Sequence, residues 1–455
     1  MTDDAKFDKM INEPVERLVV KLAVPTVLIM LVSAMYNSAD MYFVGSLGTA
    51  ETGAIGVNLS LMTIIQAAGF FFGQGAGNYV SRALGAKRRE DAEKMASTGF
   101  FLAFAFGCAI AVLGTVFVEP LALALGSTDT ILPYAAQYLR YILLAAPFMV
   151  SSIALNNILR FQGSAVFSMI GMVSGAVLNV ALDPIFIFVL GLGVAGAALA
   201  TAISQVVGFA LLLAGCFRGG NVRISLKNFS PRPERCAELA RGGAPSLLRQ
   251  TMMSVSTIIL NNSAKGIGGT EAFADAVIAA VSVVNRVVLL SGSVMLGLGQ
   301  GFQPVCGFNF GARRFDRVKR GFRFCVISSS ALLAVVAAGC FIFAPDIVRF
   351  FRDDKDVIEI GLYALRAQAL AMPLMSWIVL CNTTLQTTGQ TLPASVLSFA
   401  RQGVFQIPLL LILVSAIGVR GIQISTPIAD LCTFLLSVPF GVAALRKMKS
   451  GQEPA

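Results

Sequence analysis

Twelve runs of twenty or more mostly apolar residues follow one another along this chain. They fall near 18–44, 53–79, 96–118, 131–156, 166–190, 194–217, 238–262, 274–305, 324–344, 357–381, 394–417 and 421–445. A helix rises about 1.5 Å per residue and bilayer hydrocarbon is about 30 Å thick, so each run is long enough to cross. Backbone N–H and C=O groups in hydrocarbon must bond within the protein, which leaves helices or a closed barrel. Continuous apolar runs, rather than the short alternating segments of a barrel, predict an all-α membrane protein of twelve transmembrane helices. Only 13 % of the 455 residues are charged, against roughly 25 % in soluble domains.

The net charge of +10 is a topology signal and does not point to nucleic acid. Basic residues crowd into alternate loops: Arg82 to Lys94, Arg218 to Arg235, Arg313 to Arg323, and the tail Arg446, Lys447 and Lys449. The opposite loops are poor in them, apart from the mixed-charge stretch 349–359. The positive-inside rule then places both termini in the cytoplasm of a multi-pass protein of the cell membrane. Residues 1–21 lack the short apolar core and small-residue cleavage site of a secretory signal, so the first run is expected to stay as a helix. The eight cysteines are scattered without a CxxC pair and read as structural thiols, and there is no histidine. Proton chemistry must therefore run on carboxylates.

The chain repeats itself. Gly73-Gln74-Gly75 and Gly85-Ala86-Lys87-Arg88 recur as Gly299-Gln300-Gly301 and Gly311-Ala312-Arg313-Arg314, at an offset of 226 (299 − 73; 311 − 85). Pro147 and Gly163 meet Pro373 and Gly389 at the same offset, while Gly193-Val194 and Gly196 meet Gly418-Val419 and Gly421 at 225 (418 − 193). Pro25 matches Pro245 more loosely, at 220 (245 − 25). One offset held across several helices predicts two six-helix lobes, 1–217 and 238–455, joined by a basic cytoplasmic linker at 218–237. Six is even, so the halves share one orientation in the membrane.

Within these runs a few ionisable groups stand out, because burying one in hydrocarbon costs about 3 kcal/mol and is tolerated where a partner or a task holds it. Asn179 and Asp183, followed by Pro184, lie one helical turn apart in the fifth run. Asn37 and Asp40 repeat the pattern near the outer end of the first, and Thr201 adds a hydroxyl early in the sixth. Counting inward from the run ends puts Asp40, Asp183 and Thr201 at one depth, roughly 6–11 Å below the outer surface. Oxygen donors gathered at one depth suit Na⁺, and two nearby carboxylates suit H⁺. The residues leave the choice open. Pro25 and Pro184 are candidate hinges or static kinks. The second half has no acid matching Asp40 or Asp183; the equivalent positions hold Leu260 and Leu409. It carries Arg249, Arg286, Arg401 and Asp430 instead, candidates to line a C-lobe cavity, with Asp430 a partner for an arginine and snorkelling an option for Arg401.

Together these motifs resemble the multidrug and toxic compound extrusion (MATE) transporters. The residues that carry the resemblance are Asn37-x-x-Asp40-x-x-x-Val44-Gly45, the repeated Gly-Gln-Gly, Asn179-x-x-x-Asp183-Pro184 and Gly193-Val194-x-Gly196 in the first half. In the second they are Asn285-Arg286, Gln303-Pro304, Asn309-x-Gly311-Ala312 and Gln386-x-x-Gly389. The likeness spans essentially the whole chain. It implies two six-helix lobes about a central cavity, and efflux of amphipathic organic compounds by alternating access, driven by H⁺ or Na⁺ antiport. Asp40, Asn179, Asp183 and Thr201, with Asn37 beside them, would form the cation-coupling site, and the first four would hold Na⁺ if sodium is the ion. Some branches place essential acids in the seventh and tenth helices; here the seventh run has none and the tenth only Glu359 at its outer end, which favours coupling through the first lobe. A lipid-linked oligosaccharide flippase of the related superfamily is the alternative, since second-lobe arginines suit an anionic headgroup. An enzyme is disfavoured: there is no phosphate-binding GxxxxGK[ST], no histidine and no long soluble loop. No cofactor beyond the coupling ion is expected, and the expected partners are small molecules and membrane lipid, with the protein a monomer.

Overall fold

The computed structural model describes residues 3–45, 47–219, 222–265 and 271–448. Among them every regular element is helical. Twelve long helical segments coincide with the twelve apolar runs. In the first half these are α2 (Val15–Gly45), α3 (Thr49–Gly85), α4 (Arg89–Val116), α6 (Leu132–Phe161), α7 (Ala165–Pro184) with its π-helical extension Ile185–Val189, and α8 (Gly193–Gly219). In the second half they are α9 (Pro233–Lys265), α10 (Glu271–Gly311), α11 (Phe315–Ile342) and α13 (Lys355–Thr387). The eleventh span is α14 (Thr391–Phe399), a π segment Ala400–Gln406 and α15 (Ile407–Ile417), and α16 (Val419–Lys447) closes the chain.

Several helices overrun their apolar runs at the basic ends, because hydropathy marks only the hydrocarbon-facing part. α4, for example, starts at Arg89 rather than near 96, and its first turns carry the i,i+4 pairs Arg89–Glu93 (3.2 Å) and Glu90–Lys94. Three short helices were not expected from sequence: α1 (Asp3–Asn12), α5 (Val118–Ala124) and α12 (Ala344–Phe351). The last two begin 226 residues apart (344 − 118), each after a phenylalanine, Phe117 and Phe343.

Eleven helices among the described residues are long and apolar enough to cross a membrane. The twelfth, α9, has the length but is too polar, carrying Arg241, Arg249, Gln250, Asn261 and Asn262 among its apolar residues. A helix of that composition cannot present all its faces to lipid.

Packing divides the chain into two compact units. The first holds residues 1–13 and 21–247, the second 14–20 and 248–455, so the boundary falls inside α9 and the 218–237 stretch packs with the first unit. Each unit is built around one central helix. In the first it is α6, with 78 % of its membrane-spanning window buried, packed against α3, α4, α7 and α8. In the second it is α13, 61 % buried, packed against α10, α11 and α16. Lipid is as apolar as leucine, so helices associate in a membrane by close packing of small residues rather than by the hydrophobic effect. Gly107 shows it: a Cβ there would lie 2.5 Å from the Cα of Pro147 on α6.

The internal repeat reaches the backbone. After α3, Ala86, Lys87 and Arg88 N–H bond to Arg82, Leu84 and Ala83 carbonyls; after α10, Ala312, Arg313 and Arg314 bond to Phe308, Phe310 and Asn309. Every donor and acceptor is shifted by 226. Lys87 and Arg313 both adopt left-handed φ, 59° and 58°, a conformation uncommon outside glycine. A turn that unusual, made twice, is evidence of duplication independent of residue identity.

Candidate functional site

The first unit gathers most of its candidate residues at one place. Asn179 and Asp183 project from the last turns of α7, and Thr201 from the third turn of α8 packed beside it. All three are buried, Asp183 completely. The Asn179 amide Nδ2 donates to Asp183 Oδ1 at 3.2 Å and to Thr201 Oγ1 at 3.3 Å. Three acceptor oxygens there are buried with no hydrogen-bond donor among the described residues: Asp183 Oδ2, Asn179 Oδ1 and Asp40 Oδ1. Asp40, on α2, is close enough for its charge to act on Asp183. Asn37 lies on α2 as well, but its side chain is outside the described residues.

Two residues that sequence reading passed over complete the surroundings. Tyr138 on α6, 1 % exposed, reaches Thr201 with its phenol and faces both Asp40 and Asp183; Tyr36, one turn before Asp40, faces the same two acids. No motif marks these tyrosines. A lone Tyr within an apolar run was the available signal, since a buried phenol needs a partner.

Pro184 ends α7 and is followed directly by the π segment, where Leu190 N–H reaches back five residues to Ile185 O at 2.9 Å. A proline has no N–H to give its helix, and a π turn absorbs the break by inserting one residue. Pro25 lies within α2 without ending it.

The second unit has a π segment of its own, Ala400–Gln406, abutting Pro408, with Ile407 N–H bonded to Gln402 O. That inserted residue moves the repeat offset from 226 to 227 just after it, before it falls to 225 at Gly193 and Gly418. Gln406, not Phe405, therefore corresponds to Asn179 (406 − 179 = 227), and its Nε2 donates to Thr426 Oγ1 at 3.2 Å as Asn179 donates to Thr201. The counterpart of Asp183 becomes Leu410, fully buried, rather than the Leu409 expected from a constant offset. The amide–hydroxyl pair is thus present in both units, and the carboxylate in the first.

In place of that carboxylate the second unit holds Asp430 on α16, 0 % exposed. Arg401 Nε donates to its Oδ1 at 2.7 Å and Gln368 Nε2 to its Oδ2 at 3.1 Å. Arg401 is therefore an ion-pair partner, and snorkelling does not describe it: ten residues from the nearer end of its span (401 − 391), it sits about 15 Å deep. Arg249 lies midway along α9, and Arg286 on α10 is exposed. The structure brings Asp430 together with Arg401, and leaves Arg286 apart from them.

Among the described residues no cluster of three or more His, Cys, Asp or Glu could hold a metal ion. The first-unit cluster offers two carboxylates plus neutral oxygens, an all-oxygen set without thiolate or imidazole.

A duplicated, multi-pass helical protein with ionisable groups held inside each half belongs to the class of membrane transporters. Comparison with known proteins narrows it. The MatE family profile matches residues 25–185 and 245–412, two blocks whose starts and ends reproduce the internal repeat. The multidrug export protein MepA of Staphylococcus aureus (strain MSSA476) is 30% identical over 421 residues, 92% of this chain and 92% of that protein. A crystal structure of MATE in the straight conformation superposes with a TM-score of 0.90 at 27% identity, over 97% of this chain and 98% of that one. MATE in the bent conformation gives 0.89 at 27% identity, over 98% of each chain. The chain belongs to the MatE family, the multidrug and toxic compound extrusion transporters.

Proposed function

We propose that this protein exports amphipathic organic compounds across the cytoplasmic membrane in exchange for H⁺ or Na⁺, and that Asp40, Asn179, Asp183 and Thr201 couple the two movements. The observation that carries the reading is the trio of buried oxygens on Asp40, Asn179 and Asp183 that have no donor among the described residues. Leaving such atoms unpaired in a low-dielectric interior is expensive, and a cation is the partner their chemistry calls for. A bound proton or Na⁺ neutralises carboxylate charge at the cluster. The Asn179 amide, by donating to Asp183 and Thr201, fixes its own orientation within the cluster. Tyr36 and Tyr138 set their phenols near the two acids.

Because substrate and coupling ion favour opposite charge states of the cluster, an organic cation is held while the carboxylates are bare and released once they are neutralised. Alternating access, with both termini cytoplasmic, then links outward release to inward ion movement. Pro25 in α2 and Pro184 beside its π turn are the hinges of this reading. The name of the MepA relative supports drugs as the exported class over lipid-linked sugars.

Purified protein in proteoliposomes, with pH and Na⁺ gradients imposed separately, tests the proposal. Efflux of a cationic dye driven by one gradient and lost in Asp183→Asn is the expected result. Dye movement that needs neither gradient, or that survives Asp183→Asn unchanged, would remove the cluster from coupling. Spin-label distances between cysteines placed at Ala86 and Ala312, in a background without the native cysteines, test the motion. Distances fixed under every ligand condition in transporting protein would exclude alternating access by movement of the two units.

A further inference from the structure

The Gln368–Asp430–Arg401 cluster has no counterpart in the first unit. The equivalent positions there hold Ile142, Gln205 and Gly175 (368 − 142 = 226; 430 − 205 = 225; 401 − 175 = 226). Duplication did not supply these groups, and burying ionisable side chains so deep is expensive without a task. The charge of Asp430 is already paired with Arg401, and both its oxygens accept hydrogen bonds. Arg401 is in the opposite condition. Its Nε is committed to Asp430, while its side chain stays 26 % exposed and its Nη groups make no hydrogen bond among the described residues.

Arg249 adds a second guanidinium. It stands at the midpoint of α9, sixteen residues from either end (249 − 233; 265 − 249), and makes no hydrogen bond or ion pair among the described residues. It lies near enough to Arg401 to feel that charge. Two arginines and one aspartate leave a net charge of +1 at mid-span. Guanidinium N–H groups in that position cannot face hydrocarbon, so they face water or a ligand able to accept from them.

Resting on the efflux reading, we infer that Arg249 and Arg401 form an anion subsite for the carboxylate of zwitterionic amphipathic substrates, with Asp430 as the residue that positions Arg401. A carboxylate carries one negative charge, equal to the excess, and its two oxygens match the planar donor fork of a guanidinium. Depth separates it from a phospholipid, whose phosphate stays at the interface while these groups lie about 15 Å or more inside.

The test uses one rhodamine as its free carboxylate and as the methyl ester, which removes the anion and keeps the cation. Binding of both to detergent-purified full-length protein is followed by fluorescence polarisation. Arg249→Gln breaks no hydrogen bond or ion pair among the described residues, and Arg401→Gln combined with Asp430→Asn replaces the ion pair by neutral amides, so melting of both variants is measured as the folding control. In each, the carboxylate dye should lose about tenfold more affinity than the ester, the scale of one charge-assisted hydrogen bond. Equal losses for the two dyes, or no loss for either, overturn the subsite while leaving the efflux reading standing. Displacement by a short-chain anionic phospholipid but not by an amphipathic carboxylate would reassign the cluster to a lipid headgroup and overturn it too. Wild-type protein that binds neither dye would sink the efflux reading, and the subsite with it.

Discussion

Removing the Asn179 amide should separate the two coupling ions by the sign of its effect. Asn179 Nδ2 donates to Asp183 Oδ1 at 3.2 Å and to Thr201 at 3.3 Å, at 3 % exposure. A hydrogen bond to a charged group contributes about 1.5–3 kcal/mol, and distances at the long end of the range put this one near 1.5–2. Asn179→Ala withdraws that stabilisation from the charged carboxylate and leaves the protonated form without the same loss. At about 1.36 kcal/mol per decade, the cluster's preference moves roughly 10- to 30-fold toward its neutral state. If H⁺ is the coupling ion, half-activation of transport should need 10- to 30-fold fewer protons. If Na⁺ is the ion, the variant has lost both an oriented carboxylate and the Oδ1 ligand, and half-activation should need at least 10- to 30-fold more Na⁺. The assay is initial dye efflux in proteoliposomes against pH at fixed Na⁺, then against Na⁺ at fixed pH, with thermal melting as the folding control. A well-folded variant whose dependence on both ions stays within twofold of wild type would refute the role given to Asn179.

Thr201→Val, which keeps the shape and deletes the hydroxyl that Asn179 and Tyr138 reach, should weaken ion activation by a few-fold while melting stays within about 1 kcal/mol of wild type; ion titration of transport and differential scanning fluorimetry check it. Pro184→Ala restores a backbone N–H beside the π turn and should slow efflux several-fold while raising the melting temperature, because the helix can then close its bond ladder. Faster transport with a lower melting point would count against the hinge. Arg401→Leu alone strands a fully buried carboxylate and should destabilise the protein by about 3 kcal/mol, whereas adding Asp430→Leu should recover most of that loss. Equal melting of the single and double variants would show that the pair contributes no coupling energy.

The sequence alone determined the twelve helices and their duplication, and it singled out Asp40, Asp183 and Thr201 as groups expected at one depth. These follow from local properties: hydropathy over twenty residues, an offset held along the chain, and a fixed rise per residue that converts position into depth. Asn179 and Asp183 were legible as a pair because four residues make one helical turn, whatever surrounds them. The tertiary structure decided the rest. A π turn inserts a residue without altering hydropathy, so the equivalence of Asn179 with Gln406, and of Asp183 with the neutral Leu410, appears only in the backbone. Gln368, Arg401 and Asp430 are 33 and 29 residues apart (401 − 368; 430 − 401) on three different spans, and Tyr138 is 63 from Thr201 (201 − 138). Spacing along a helix says nothing about which helix stands beside it. Packing settles that, and packing made a buried, hydrogen-bonded ion pair of Arg401 and Asp430, which the sequence offered only as candidate partners.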